Sequence, residues 1–316
     1  MSGVRNIMLE IRNLSVHFSS YSKGLKRKSV CTIRSLDLTA NAGQVVAVVG
    51  QSGAGKSLLA HAVLGILPSN STVSGDITFK GHRITPESAE RFRGRDIALI
   101  PQSVAFLNPL LHVGTQIARA AVLNGLPARE AKKAALLALE RYGLPSHIYK
   151  CFPFQLSGGM ARRVLTATAT VGSASLLFAD EPTNGLDVAT AQETLKHLRE
   201  LADIGKAVVL ITHDIEAALQ VADKVSVFCG GVTIEEASAT DFINSGRLRH
   251  PYSVALWSSL PNNRFIETIT AKSFCSLNGG CPFGPRCEQA AEECCQQMPE
   301  LIPLRNGKVR CWHACG

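Results

Sequence analysis

The sequence predicts an α/β fold built on a largely parallel sheet covered by helices. An antiparallel β segment precedes it, and a cysteine-rich extension follows. Three observations carry this reading. Apolar runs of four to six residues alternate with helical stretches over most of the 316 residues. A glycine-rich loop, GQSGAGKS from Gly50 to Ser57, lies between one such run and a helical pattern. Seven of the 10 cysteines fall within the last 42 residues.

The length fits one large domain or two ordinary ones. Hydrophobic residues make up 46% and charged residues 18%, with a mean hydropathy of +0.11. A sizeable core is therefore available, and wholesale disorder is excluded. No run of about 18 apolar residues is present, so no membrane-spanning helix is expected. The opening MSGVRNIMLEIR has neither a signal-peptide core nor a cleavage site, and the chain is expected to stay in the cytosol. There, crowded cysteines point to metal or redox chemistry rather than disulfides.

Leu9 to Phe18 and Thr32 to Leu38 read as antiparallel strands joined by the polar, basic stretch SSYSKGLKRKS. VVAVVG (45–50), DIALI (96–100), LLFAD (176–180), AVVLIT (207–212) and VSVF (225–228) are almost uninterruptedly apolar. Such runs suit strands buried on both faces, as in a parallel sheet. Ala128 to Tyr142 forms a helix, with Ala131, Ala135, Leu139 and Tyr142 on one face and Arg129, Lys132, Lys133 and Glu140 mostly elsewhere. From Leu248 the pattern weakens, and a Pro-, Gly- and Cys-rich tail begins near Pro261.

Gly50 to Ser57 satisfies G-x-x-x-x-G-K-[ST] in the strand–loop–helix setting that the motif needs. Glycines let successive N–H groups turn inward around phosphate oxygens, helped by the positive end of the next helix. Lys56 then reaches the β- and γ-phosphates, and the Ser57 hydroxyl can ligate Mg²⁺. LLFADE places Asp180 at a strand end with Glu181 beside it. One carboxylate there can hold Mg²⁺ while its neighbour orients or deprotonates water. Between these elements lies LSGGM, where Ser157 suits a helix cap and Gly158 and Gly159 bare N–H groups at the helix start.

These residues resemble the ATP-binding subunit of an ABC transporter, over nearly the whole chain. Gln102 in IPQ, Asp187 in EPTNGLD and His213 in LITHD complete the likeness. The resemblance implies a P-loop NTPase (ABC ATPase) core in residues 1–247, with a helical subdomain at about 103–165, and a Cys-rich extension in 248–316. It implies that Gly50, Gln51, Ser52, Gly53, Ala54 and Gly55 wrap the phosphates, with Lys56, Ser57 and Leu58 opening the helix. Gln102 senses Mg²⁺ and the γ-phosphate, and Asp180 and Ser57 also serve the metal. Glu181 is the general base, His213 the switch on the γ-phosphate, and Asp187 belongs to a loop that crosses a dimer interface. Phe18 stacks on adenine, with Tyr21 as the substitute. Ser157, Gly158 and Gly159 cover the ATP of a second such subunit. Met160 and Asn184–Gly185 depart from the usual residues, which is expected to tune the site without abolishing it.

FLNPLLHVGTQI (106–117), FPFQLSGGMARR (152–163), HPYSVAL (250–256) and GCPFGPRC (280–287) resemble the oligopeptide/dipeptide/nickel branch of these importers. This implies cargo among peptides, nickel and metal chelates, two membrane permease subunits, an extracytoplasmic binding protein, and peripheral attachment to the cytoplasmic face of the cell membrane. It also implies a [4Fe–4S] cluster on Cys281, Cys287, Cys294 and Cys311, spaced C-x5-C-x6-C-x16-C. By ligand chemistry alone, four thiolates suit such a cluster or a tetrahedral Zn²⁺, and Cys295 could replace Cys294. Cys275 and Cys315 have no assigned role, while Cys31, Cys151 and Cys229 read as buried small residues. The net charge of +8 leaves one rival, a non-transporter ABC ATPase acting on nucleic acid or ribosomes. Most of that excess lies between Met1 and Arg34, where a solvated face or anionic lipid serves as well. No nucleic acid partner is expected.

Overall fold

The computed structural model describes residues 6–21, 27–51, 53–243, 247–260 and 279–314. Two long strands come first, β1 (Ile7–Tyr21) and β2 (Arg27–Asn41). They pair antiparallel from Ile7 opposite Asn41 to Tyr21 opposite Arg27. Most of the polar stretch expected to be a connector therefore lies within strands, since Ser19 and Ser20 pair with Ser29 and Lys28. A ribbon exposed at its far end satisfies its backbone across the pair, and its side chains need not be apolar.

Next come β3 (Val45–Gly50), α1 (Lys56–Leu64), β4 (Ser71–Phe79), β5 (His82–Arg83) and β6 (Ile97–Ile100). Three helices follow: α2 (Val113–Leu123), α3 (Ala128–Arg141) and α4 (Gly158–Thr170). They enclose a small core of their own around Ile117, Leu139, Ile148 and Val164, with Tyr142 buried in it as its helical spacing predicts. The chain continues through β7 (Leu176–Asp180), α5 (Val188–Asp203), β8 (Ala207–Ile211), α6 (Ile215–Leu219), β9 (Lys224–Cys229), β10 (Val232–Ser238) and α7 (Ala239–Ile243). The extension contributes α8 (Pro251–Ser258), α9 (Glu292–Gln296), β11 (Ile302–Leu304) and β12 (Gly307–Val309).

The strands join in the order β5-β4-β1-β2-β10-β9-β3-β8-β7-β6, with β12 also on β10. The five apolar runs form one parallel block, β9-β3-β8-β7-β6. β3, β7 and β8 are buried at every residue, so alternation could not mark them. Two cores lie on the sheet, one under β1, β2 and α1 and one under α5, α6 and the extension.

Buried ions tie the extension down. Arg249 meets Glu235 at 3.2 Å and Asp241 at 2.9 Å, and its Nε donates to the Leu304 carbonyl at 2.8 Å. Arg310 reaches back to Asp37 on β2 at 2.7 Å. A buried charge needs such partners, because removing it from water is costly.

Candidate functional site

The carboxyl ends of β3, β7 and β8 converge, the place where open α/β sheets bind ligands. Gly50 ends β3 against the backbone of β9. A Cβ there would lie 2.1 Å from the Phe228 carbonyl oxygen, and φ is +151°. Gly55 caps α1 in the left-handed conformation, at φ +88°. The loop between them thus turns tightly enough to aim the start of α1 at a bound anion. Ser52 lies outside the described residues.

Lys56 is buried, and its ammonium donates to the Gly50 and Gln51 carbonyls at 2.8 and 3.0 Å. Burial pushes its pKa down, while Glu181 and Asp180 push it up. The Ser57 hydroxyl donates to Asp180 Oδ1 at 3.1 Å. Burial raises Asp180 above the usual carboxylate range, and the Ser57 bond opposes that shift. Two oxygens from separate elements meet here, a donor set that suits Mg²⁺.

Glu181 follows at φ +49°, rare for a non-glycine residue. Its backbone N–H donates to the Ile211 carbonyl at 2.8 Å, and Arg162 donates to its carbonyl at 3.2 Å. These contacts hold the turn, so the buried carboxylate faces His213. His213 Nδ1 lies 2.8 Å from Oε1, and the Thr212 hydroxyl donates to Oε2 at 3.4 Å. A carboxylate held this way can take a proton from water beside a phosphate.

The other expected residues are placed more loosely. Gln102 is exposed just past β6. Ser157 caps α4, its hydroxyl accepting from the Met160 N–H at 3.3 Å, and it is exposed with Gly158. Met160 packs its side chain against the helical core rather than outward. Asp187 caps α5, accepting from the Thr190 N–H at 3.0 Å and the Thr190 hydroxyl at 2.7 Å. Phe18 is half-buried between Val30 and Ser71. Two positions earlier on β1, Val16 pairs with Ile33, which lies against Gly55. Phe18 therefore sits on the ribbon that borders the phosphate loop. Nothing is described of the Tyr21 side chain.

In the extension, Cys281, Cys287, Cys294 and Cys311 line one small cavity with His250 and His313. Burial pushes Cys281 up to about 11, opposed by the Phe283 and Gly284 N–H groups. Among the described residues, no three His, Cys, Asp or Glu side chains form a group that could hold a single metal ion. Cys295 is disulfide-bonded and does not line the cavity, which corrects the expectation that it could replace Cys294 as a ligand. Cys275 and Cys315 lie outside the described residues. Among these residues no helix is long and apolar enough to cross a membrane.

Residues 33–184 match the ABC transporter family, and residues 234–294 match the oligopeptide/dipeptide transporter C-terminal region. The oligopeptide transport ATP-binding protein OppD of Salmonella typhimurium is 33% identical over 96% of this chain and 93% of its own length. OppD of Haemophilus influenzae is 33% identical over 97% of each chain. The chain belongs to the ATP-binding subunits of ABC transporters. Its fold agrees with that of a dimeric ATP-binding cassette bound to ADP and Pi, at TM-score 0.64 over 73% of this chain and 99% of the other, with 24% identity.

As an ABC ATPase subunit, the chain hydrolyses ATP to power transport. Three features of this subunit add to the sequence reading. Asp187 caps α5 in a D-x-x-T pattern, a local role besides its expected place in an interface loop. His250 opens HPYSVAL, whose resemblance implies no role for the histidine, and His313 stands in WHA without a motif. One expectation is corrected: Cys229 is buried, but Cys31 is exposed and Cys151 only half-buried. Cys31 stands opposite His17 near the open end of the ribbon, where little covers it.

Proposed function

We propose that this subunit powers import of oligopeptides or dipeptides, working with a second ATP-binding subunit, two membrane permeases and an extracytoplasmic binding protein. The observation that carries the reading is the meeting of Lys56, Ser57, Asp180, Glu181 and His213 at three parallel strand ends, in a chain whose full-length relatives are named for oligopeptide transport. Nickel and metal-chelate cargo have no comparable support.

Lys56 and the loop N–H groups of Gly50 to Ser57 bind the β- and γ-phosphates, and Phe18 stacks on adenine. Mg²⁺ on Ser57, Asp180 and Gln102 supplies charge neutralisation at the phosphate oxygens. Glu181 accepts the proton of the attacking water, and His213 holds that carboxylate in place. Lys56 and His213 oppose the charge that grows on the transferring phosphoryl. One subunit is incomplete alone: Ser157 and Gly158, exposed at the start of α4, cover the nucleotide of a partner, and Asp187 stands at the same interface. The helices α2 to α4 pass the resulting motion to the permeases. The subunit thereby resides at the cytoplasmic face of the membrane without spanning it.

The extension, residues 248–316 in this reading, holds a [4Fe–4S] cluster on Cys281, Cys287, Cys294 and Cys311. All four line one cavity. Together they supply the four thiolates that such a cluster needs. The bound cluster would supply one-electron chemistry or a fixed cross-link.

Purification of the intact complex tests the whole reading. Copurification with integral membrane proteins and peptide-stimulated ATP hydrolysis are expected. Stimulation by nickel or a metal chelate alone contradicts the cargo. Salt-sensitive copurification with RNA or DNA, without membrane proteins, contradicts the transport role.

A further inference from the structure

We infer that His250 is a fixed N–H donor to the sulfur of Cys281, a positioning residue for the thiolate site. The inference rests on the cluster reading above. His250 is fully buried and lines the cavity of the four cysteines. Its Nδ1 accepts the backbone N–H of Tyr252 at 3.0 Å, as the cap of α8. That bond consumes the lone pair of Nδ1, so in the neutral ring the proton must sit on Nε2. Nε2 points at Cys281 Sγ, 3.8 Å away.

The residue is held through its backbone as well. The His250 backbone N–H donates to buried Glu235 at 2.9 Å, and Glu235 is itself held by Arg249. Phe283 packs beside the ring, with centroids 6.3 Å apart. His313, which also lines the cavity, has its Nε2 3.4 Å from Cys294 Sγ. Two of the four sulfurs thus each have an imidazole nitrogen within hydrogen-bonding distance.

The chemistry explains why such donors would be placed here. A cluster held by four thiolates carries net negative charge into a buried site, and each reduction adds more. Hydrogen bonds to the sulfurs stabilise that charge and raise the reduction potential. A neutral N–H does so without bringing a second buried charge. His250 also joins the sulfur site to the fold of the cassette, because the same residue caps α8 and leans on β10 through Glu235.

The test compares full-length wild type with His250→Asn and His250→Gln, purified anaerobically. Asn keeps an acceptor for the helix cap but falls short of Cys281, whereas Gln carries an N–H to about the reach of Nε2. Iron, acid-labile sulfide, the midpoint potential and ATP binding are measured on each. The expected result is a more negative potential in His250→Asn, with recovery toward wild type in His250→Gln. Wild type free of iron and sulfide overturns the cluster reading and this inference with it. A wild-type cluster whose potential is unchanged in His250→Asn overturns this inference alone. Cluster loss in both variants, with ATP binding intact, assigns His250 a packing role and also overturns it.

Discussion

His213 Nδ1 lies within 2.8 and 2.9 Å of both carboxylate oxygens of Glu181. The ring and the carboxylate act as one unit across the ends of β7 and β8. Glu181 sits at a positive φ that the Ile211 and Arg162 contacts hold in place. Removing the imidazole frees the carboxylate to rotate, so His213→Ala is expected to lower kcat by about 10²-fold. Its effect on ATP affinity should be smaller, which paired binding and turnover measurements will check.

Gly50 is the tightest point of the phosphate loop. A methyl group there would meet the Phe228 carbonyl oxygen at 2.1 Å. Gly50→Ala must therefore push β9 from β3 or break the turn, at a cost of ~2–4 kcal/mol. A lowered melting temperature with loss of nucleotide binding is expected. Wild-type values for both would contradict the packing described.

Asp187 is satisfied within its own helix start. Asp187→Ala removes the cap of α5 and is expected to lower the melting temperature slightly, whereas Asp187→Asn retains most of the cap. Thr190 holds the Asp187 carboxyl below its usual range through the N–H and then the hydroxyl. A depressed folded value means the contribution is complete above the unfolded pKa of ~3.9 and fades as pH falls through the folded one. Melting curves of wild type and Asp187→Ala should converge in acid. An interface role predicts something further: both variants would slow hydrolysis at unchanged stability of the Asn form.

Arg249 is buried between Glu235 and Asp241. Arg249→Ala leaves two buried carboxylates without their cation, which costs roughly 3–5 kcal/mol. Limited proteolysis should then cut within residues 250–316 well before the cassette. A resistant extension would show that Arg310 and the apolar contacts suffice.

Much of this structure was legible in the sequence because one physical rule governed it at a time. β3, β7 and β8 are buried on both faces and read as plain apolar runs. β4 and β10 carry no such run. β4 exposes most of STVSGD, and β10 buries Glu235 and Glu236, whose partners Arg249, Lys224 and Lys308 are remote in sequence. The nucleotide residues were legible because backbone geometry constrains their spacing. His250 was not, since its role depends on Tyr252 fixing one nitrogen and Cys281, 31 residues later, receiving the other.

The central claim is that Glu181 activates the water that attacks ATP. The direct measurement is ATP binding and steady-state hydrolysis by Glu181→Gln in the assembled transporter. Binding as in wild type, with turnover reduced by at least about 10²-fold, is the predicted result. Hydrolysis at the wild-type rate in that variant would contradict it.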